Sequence, residues 1–274
     1  MISPAIKVLK TKNGVSANKV NFNKKKDKCV IMGNGPSLKK DLPMIVKDRE
    51  SADFFCVNAF PLAEQFFEIK PEFIVLTDTA WWREDPSPEN ESKRKEVYNI
   101  LNKVDWKLQC ITTHNSDYSF MRRSIGNKNI EITKLNTVSI LRLLDEHAFK
   151  YYDTGYFAPP FDNVLLIAVY TAIKAGYSEI EIYGADLSYM FLIDVDQDTN
   201  MVFIKEEHFH ENGEREVLKM DAGINSEPAT MHDFLKLQAT ILKGHELLNE
   251  YAKSKGVKIK NKSSYSIIDA YSRQ

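Results

Sequence analysis

Short apolar runs that end in glycine, asparagine or aspartate, separated by stretches that read as helices or stay unassigned, constrain this chain's fold more than any other feature. Lys28–Met32 supplies Cys29, Val30, Ile31 and Met32 and stops at Gly33-Asn34-Gly35-Pro36-Ser37-Leu38, where glycine and proline turn the chain and open a helix. Asp53–Val57 stops at Asn58, and Phe73–Leu76 stops at Thr77-Asp78-Thr79. Leu108–Thr112 is a fourth strand candidate and Ile130–Ile132 a weaker fifth. Glu179–Tyr183 closes on Gly184-Ala185-Asp186, and Val257–Lys260 comes last. Between them, Val164–Ala175 carries apolar side chains near the helical period and meets Gly176 as its stop. Met231–Ser254 reads as a long helix with Phe234, Leu235, Ile241, Leu242 and Leu248 inward, ended by Gly256. Strands alternating with helices predict an α/β fold, a doubly wound and mainly parallel Rossmann-like sheet.

The 274 residues suffice for one large core, and 43% hydrophobic with 27% charged residues exclude a disordered or fibrous chain. No apolar run approaches the roughly 18–20 residues of a membrane span, and the N-terminus lacks a signal-peptide core. Three cysteines without a CxxC pair argue against a disulfide scaffold or zinc ribbon and for a reducing cytosol. A net charge of -1 argues against nucleic acid as a partner. That average conceals a pattern. The first 40 residues hold ten lysines and one acid, residues 178–233 hold fourteen acids against Lys205, Arg215 and Lys219, and the tail turns basic from Lys253 to Arg273. Residues 1–27 are therefore read as a basic arm and 28–274 as one domain, with an irregular, acidic lid over about 187–230. The plain reading of the basic runs is a solvated face; the sharper one is weak contact with an anionic membrane surface.

In a doubly wound sheet, ligands bind beyond the carboxyl ends of the strands. The sequence places Asn34, Asn58, Asp78 and Asp186 there. Gly33, Asn34, Gly35 and Ser37 form either a tight turn or a loop whose amides meet a phosphate or ribose; they fit neither the P-loop nor the GxGxxG pattern. With Asn58 and Asp78 at two further strand ends, the nucleotide-binding reading is preferred, because an asparagine offers a donor and an acceptor to ribose or a base edge. Asn163 is a helix cap or faces a phosphate from the helix start. Gly184, Asp186, Ser188 and Tyr189 bring polar groups to the same crevice. Asp194, Asp196, Asp198 and Asn200 alternate like half of an EF-hand loop, but Thr199 and Lys205 stand where its glycine and glutamate belong, so no metal site is expected.

His232, at a helix start after a loop, is a candidate general base. His208 flanks Phe209 with His210 and is the second candidate, whereas His245 falls on an apolar stripe and reads as packed. The absence of a GxSxG motif or Cys-His pairing leaves hydrolase chemistry without support.

The strand running into Gly33–Leu38, followed by Asn58 after the next strand, resembles the opening of the bacterial sialyltransferases of glycosyltransferase family 42. Gly176-Tyr177-Ser178-Glu179-Ile180 with Gly184-Ala185-Asp186-Leu187 resembles their central segment. It is equally similar to the domain of unknown function 115 of flagellin-modifying proteins and archaeal hydroxymethylpterin pyrophosphokinases, as is the terminal Asn261 with Ser266-Ile267-Ile268-Asp269. The resemblance spans about 28–80 and 158–270. It implies a single-domain, GT-A-type transferase with no metal cofactor, a nucleotide-sugar donor and a glycan acceptor. Asn34 and Asn58 would contact the nucleotide, Ser188 or Tyr189 the phosphate, and His232 would take the acceptor proton. Two departures bear on the donor: Phe161-Asp162-Asn163-Val164-Leu165 replaces the family's Arg-x-Thr-Ser-Gly, and Asp78 replaces an asparagine. An anionic sugar gains nothing from Asp78 or Asp162, so a neutral sugar nucleotide stands beside CMP-sialic acid as the donor. The expectation is a cytoplasmic glycosyltransferase of surface polysaccharide or lipooligosaccharide synthesis, peripheral at the inner membrane face and forming a homo-oligomer. The alternatives are an ATP-dependent pterin pyrophosphokinase, the one reading that needs Mg2+, held by Asp78 and Asp186, and a non-catalytic nucleotide-binding scaffold.

Overall fold

The computed structural model describes residues 20–83, 87–139, 148–208, 211–219 and 227–273, with the side chains of 205–208 and 211–215 outside that description. Seven strands form the main sheet: β1 (Lys28–Met32), β2 (Asp53–Val57), β3 (Phe73–Val75), β4 (Leu108–Thr113), β5 (Ile130–Leu135), β6 (Glu179–Tyr183) and β10 (Lys258–Asn261). Their order is β10-β6-β1-β2-β3-β4-β5, and every pair is parallel. The chain lays down β1 to β5 in one direction and then returns to set β6 on the other side of β1. That reversal makes β1/β6 the switch point of a doubly wound α/β sheet.

Both faces of the sheet are covered, which is why the strands read as continuous apolar runs. Alternate side chains point to opposite faces. Val30, Met32, Phe54, Cys56, Ile74 and Cys110 join one core with α1 (Leu38–Lys47), α2 (Phe66–Ile69), α3 (Pro88–Leu101) and α4 (Tyr118–Ser124). Cys29, Ile31, Phe55, Val57, Phe73, Val75 and Ile111 join the other with α5 (Phe149–Asp153), α6 (Val164–Ala175) and α7 (Met231–Ser254). The three cysteines are buried and free, and burial pushes their thiols up, that of Cys110 to about 12. Helices α6 and α7 each lead into a parallel strand and so run against it. Their N-termini therefore lie at the carboxyl end of the sheet.

The periodicity of α6 and α7 predicts their bounds, and Gly176 ends α6 with φ at 80°. The sparse apolar positions of α3 show no helical period in the sequence, although Ser87 caps it through the Asn90 amide at 3.2 Å and Pro88 opens it. β5 runs three residues past the predicted Ile132, held by register with β4. The lid contains regular structure: β7 (Ile193–Val195), β8 (Val202–His208) and β9 (Glu211–Val217) form an antiparallel sheet. Of the EF-hand-like run, Asp194 lies in β7 and Asp196, Asp198 and Asn200 form the β7–β8 turn, where Asp196 Oδ1 accepts from the amides of Asp198 and Thr199 and Asn200 takes φ 56°.

Residues 20–27 cross the amino ends of the strands. The amides of Lys25 and Lys26 donate to Asp53 Oδ2 at 2.7 and 3.0 Å, and the Tyr177 hydroxyl donates to the same oxygen at 2.7 Å. Lys24 pairs with Asp27, Lys25 with Glu72, Lys28 with Glu181, and Lys26 donates to the Glu50 carbonyl. These four cations of the basic run thus meet partners within the chain, at the end of the sheet opposite the predicted site. Among the described residues no helix is long and apolar enough to cross a membrane.

His245 of α7 is packed, as its place on the apolar stripe predicts. Its Nδ1 lies 2.8 Å from the Tyr271 hydroxyl, and burial pushes its pKa down to about 3. The folded imidazole stays neutral, whereas the unfolded one titrates near 6.5. With the folded pKa depressed, stability present above pH 6.5 is lost as pH falls from there toward 3, by about 1.4 kcal/mol per unit. Urea unfolding should therefore show a pH 7-to-5 loss in wild type about 2 kcal/mol larger than in His245→Gln. Equal losses in the two proteins would contradict this assignment.

Candidate functional site

Two loops cross at the switch point, and each explains the other's glycines. After β1, Gly33 N–H donates to Tyr183 O at 2.8 Å and Gly35 N–H to Gly184 O at 2.9 Å, so the β1–β6 contact continues past the strands. A Cβ on Gly33 would collide with the Gly184 carbonyl, and one on Gly35 would collide with the Asp186 carboxylate. Gly184 itself has φ 63°. Asp186 is the fastener: Oδ2 accepts from the Ser37 amide at 2.8 Å, and Oδ1 accepts from the Ser37 hydroxyl. Burial raises the Asp186 pKa, and the two bonds from Ser37 oppose that rise.

This geometry revises the expected phosphate cradle. The amide of Gly33 is committed to the end of β6 and those of Gly35 and Ser37 to Gly184 and Asp186 just beyond it, and Pro36 has none, so the loop does not present a row of amides to an anion. The C-terminal segment reinforces the same clasp. Ala185 N–H donates to Ser263 Oγ at 2.9 Å, Ser266 Oγ donates to Ala185 O, and Ile267 N–H donates to Asp186 O at 3.1 Å. Asn261 Nδ2 orients Ser266 at 2.8 Å. Asn261 and Ser266, singled out by resemblance, are thus structural partners of the loop.

The remaining strand ends carry the exposed chemistry. Asn34 Nδ2 donates to Val57 O at 3.1 Å, which leaves Oδ1 as an uncommitted acceptor among the described residues. Asn58, at φ 47°, accepts from Trp81 Nε1 at 3.3 Å, which leaves its Nδ2 as an uncommitted donor. A donor and an acceptor therefore stand on neighbouring strand ends. Trp81 is fixed in turn, because the Tyr98 hydroxyl donates to its carbonyl and Arg94 donates to Ala80 O at 3.2 Å. Asp78 caps this turn through the Ala80 amide at 2.8 Å. The role of Trp81 was not read from the sequence, although a Trp pair three residues beyond a strand-end aspartate was visible there.

Beyond β4 the structure adds His114. Its Nδ1 lies 2.9 Å from Thr137 Oγ1 and accepts the Thr137 amide at 3.4 Å. Burial and then the Lys134 charge lower its pKa. His114, Asn115, Asn136 and Thr137 sit past the ends of β4 and β5, and the sequence reading missed them for lack of a recognisable pattern.

Other predicted residues take plainer positions. Asn163 caps α6 through the Leu165 amide at 2.7 Å. His232 is exposed on the first turn of α7, at the carboxyl end of the sheet, where Thr230 and Asp233 form a capping box. Ser188 and Tyr189 begin a short 3-10 turn, with Tyr189 exposed. His208 ends β8; its side chain and all of His210 lie outside the described residues. Among the described residues no three His, Cys, Asp or Glu side chains are grouped to hold a metal ion.

The sequence model of the 6-hydroxymethylpterin diphosphokinase MptE-like family matches residues 5–190. The chain belongs to this family. The matched region contains the switch-point loops and every strand end from β1 to β6, and it stops before the lid sheet. No curated protein matches the chain. Among solved structures, the MAf glycosyltransferase from Magnetospirillum magneticum AMB-1 aligns with a TM-score of 0.53 and 12% identity, over 92% of this chain and 34% of that one. The family member described here thus spans about a third of that protein's length and shares the fold of the aligned part.

The clasp makes a quantitative demand. Asp186→Ala leaves the Ser37 amide and hydroxyl buried without an acceptor, and Gly35→Ala drives a Cβ into the carboxylate. Each should cost about 2–3 kcal/mol in urea unfolding. A loss below about 0.5 kcal/mol in both would show that the loops do not depend on this contact.

Proposed function

We propose that this protein is a glycosyltransferase that binds a nucleotide-sugar donor across the carboxyl ends of β1 to β4. The observation that carries the reading is the pair of Asn34 Oδ1 and Asn58 Nδ2, an acceptor and a donor held on adjacent strand ends and matched to ribose hydroxyls or a base edge. The fold shared with the MAf glycosyltransferase agrees with it. In the reaction, the anomeric C–O bond to the nucleotide phosphate breaks and a new bond forms to an acceptor hydroxyl. The proton of that hydroxyl passes to His232, and the departing phosphate is stabilised by neutral donors and positive charge on the protein. Asp78 and Asp162 favour a neutral sugar over CMP-sialic acid. A glycan of surface polysaccharide or lipooligosaccharide synthesis is the proposed acceptor.

The family's own description favours a second reading, diphosphate transfer from ATP to a hydroxymethylpterin. That chemistry calls for Mg2+ and carboxylates free to hold it. Asp186 serves it poorly, being buried and bound through both oxygens to Ser37. Asp78 keeps one oxygen beyond its cap.

Thermal shifts with CMP, CDP, UDP, GDP and ATP with Mg2+ separate the readings. A ligand at a hundred times its Kd adds about 2.7 kcal/mol. The glycosyltransferase reading expects a response to CMP, CDP, UDP or GDP that Asn58→Ala weakens about tenfold, with slow hydrolysis of the matching nucleotide-sugar. His232→Ala should lower kcat about 100-fold or more and leave nucleotide affinity unchanged. A response confined to ATP with Mg2+, with diphosphate transfer to the pterin, would replace this reading with the second. Binding without turnover of any donor would make the protein a scaffold.

A further inference from the structure

We propose that the carboxyl ends of β4 and β5 form a phosphate-binding subsite built from the Lys134 ammonium and the Nε2–H of His114. Thr112 and Lys134 are register partners, so their side chains share one face of the sheet. His114 follows two residues after Thr112, and the Lys134 charge acts on it. The Thr137 amide donates to His114 Nδ1, which places the ring hydrogen of the neutral imidazole on Nε2. Among the described residues nothing accepts from that Nε2–H, and Lys134, although half-buried, pairs with no carboxylate.

Two hydroxyls close to this pair in the chain are also unsatisfied. Thr112 Oγ1 and Ser116 Oγ are buried and have no hydrogen-bond partner among the described residues. Buried polar groups of native proteins are nearly always paired, so two buried hydroxyls beside two half-buried donors, all four without an acceptor at the ends of β4 and β5, mark a place that receives one. All four can donate and one is a cation, so the complementary ligand is an anion rich in acceptors, such as a phosphate. Two of the acids near this end of the sheet do not fill that role. Glu131 alternates to the opposite face of β5, and Asp117 gives Oδ1 to the Phe120 amide at 2.8 Å.

The subsite rests in part on the nucleotide reading above, because its position suits the phosphate of that same ligand. Asn58 on β2 and His114 on β4 are two strand spacings apart, about 10 Å. A nucleoside held at Asn34 and Asn58 reaches that far through an extended diphosphate. Lys134 and His114 then supply the charge and hydrogen bond that the committed amides of the Gly33–Ser37 loop do not.

Isothermal titration of the full chain with inorganic pyrophosphate tests the subsite directly. Wild type should bind it, and Lys134→Met should weaken binding at least about tenfold, equivalent to about 1.4 kcal/mol. Lys134→Arg and His114→Gln, which keep a cation and a donor, should stay within about threefold, while His114→Ala should fall further. Asn58→Ala should leave pyrophosphate affinity unchanged. Matched titrations with uridine and UDP, cytidine and CDP, and guanosine and GDP identify the source. Loss confined to the diphosphates in Lys134→Met assigns the nucleotide's own phosphate, whereas pyrophosphate binding that a saturating nucleotide does not displace assigns a phosphate of the second substrate. If wild type ignores pyrophosphate, or Lys134→Met binds it as well as wild type does, the subsite is refuted. Failure of every nucleotide while pyrophosphate binding still depends on Lys134 refutes the donor reading alone. Should the variants not fold, 15N spectra of histidine-labelled wild type decide. The proposal expects a neutral Nε2–H tautomer whose signal moves with pyrophosphate, and an Nδ1–H tautomer or an unmoved signal overturns it.

Discussion

The contact between Asp186 and Ser37 fixes the geometry on which the rest of the site depends. It joins the loop after β1 to the loop after β6 at the one place where the strand order reverses. Such a reversal ordinarily opens a crevice. Here the loops instead lie close enough that glycine is required at 33, 35 and 184, and the C-terminal segment locks onto them from outside. The glycines serve packing between loops, and the ligand-facing groups are displaced toward β2, β3 and β4. A buried carboxylate is costly unless it is hydrogen-bonded, and Ser37 meets that requirement with two donors.

The displacement changes which chemistry the strand ends offer. Asn34 and Asn58 are each pinned through one atom, so each keeps a single defined function, one accepting and one donating. A side chain held in one orientation loses little further entropy on binding, which favours recognition of a group with a fixed pattern of hydroxyls. Farther along the sheet, His114 and Lys134 present hydrogen-bond donors and positive charge without a carboxylate partner among the described residues. The crest thus runs from the amides of Asn34 and Asn58, past the capping carboxylate of Asp78, to a positively charged end at His114 and Lys134. A nucleoside followed by its phosphates has the same polarity.

Much of the fold was legible in the sequence because burial on both faces leaves an unmistakable mark. Phe54, Phe55, Cys56 and Val57 read as a strand since both neighbouring layers demand apolar side chains. α6 and α7 were clear from periodicity and from Gly176 and Gly256. α3 was hidden because most of its surface is charged, and the strands of the lid were hidden by acids that serve its turns. The strand-end positions of Asn34, Asn58 and Asp78 followed from topology alone. The commitments of Asp186 and of the loop amides did not, because they join residues about 150 positions apart. His114 and Lys134 had no motif to reveal them; only the β4–β5 register brings them together.

The central claim, that the ligand lies along the carboxyl crest from β1 to β4, is tested most directly by amide hydrogen exchange with and without the nucleotide that raises the melting temperature. The account predicts slower exchange at residues 33–37, 57–59, 76–82 and 113–116, with no change along residues 20–27 at the opposite end of the sheet. Protection confined to the lid strands, or centred on residues 20–27, would contradict it.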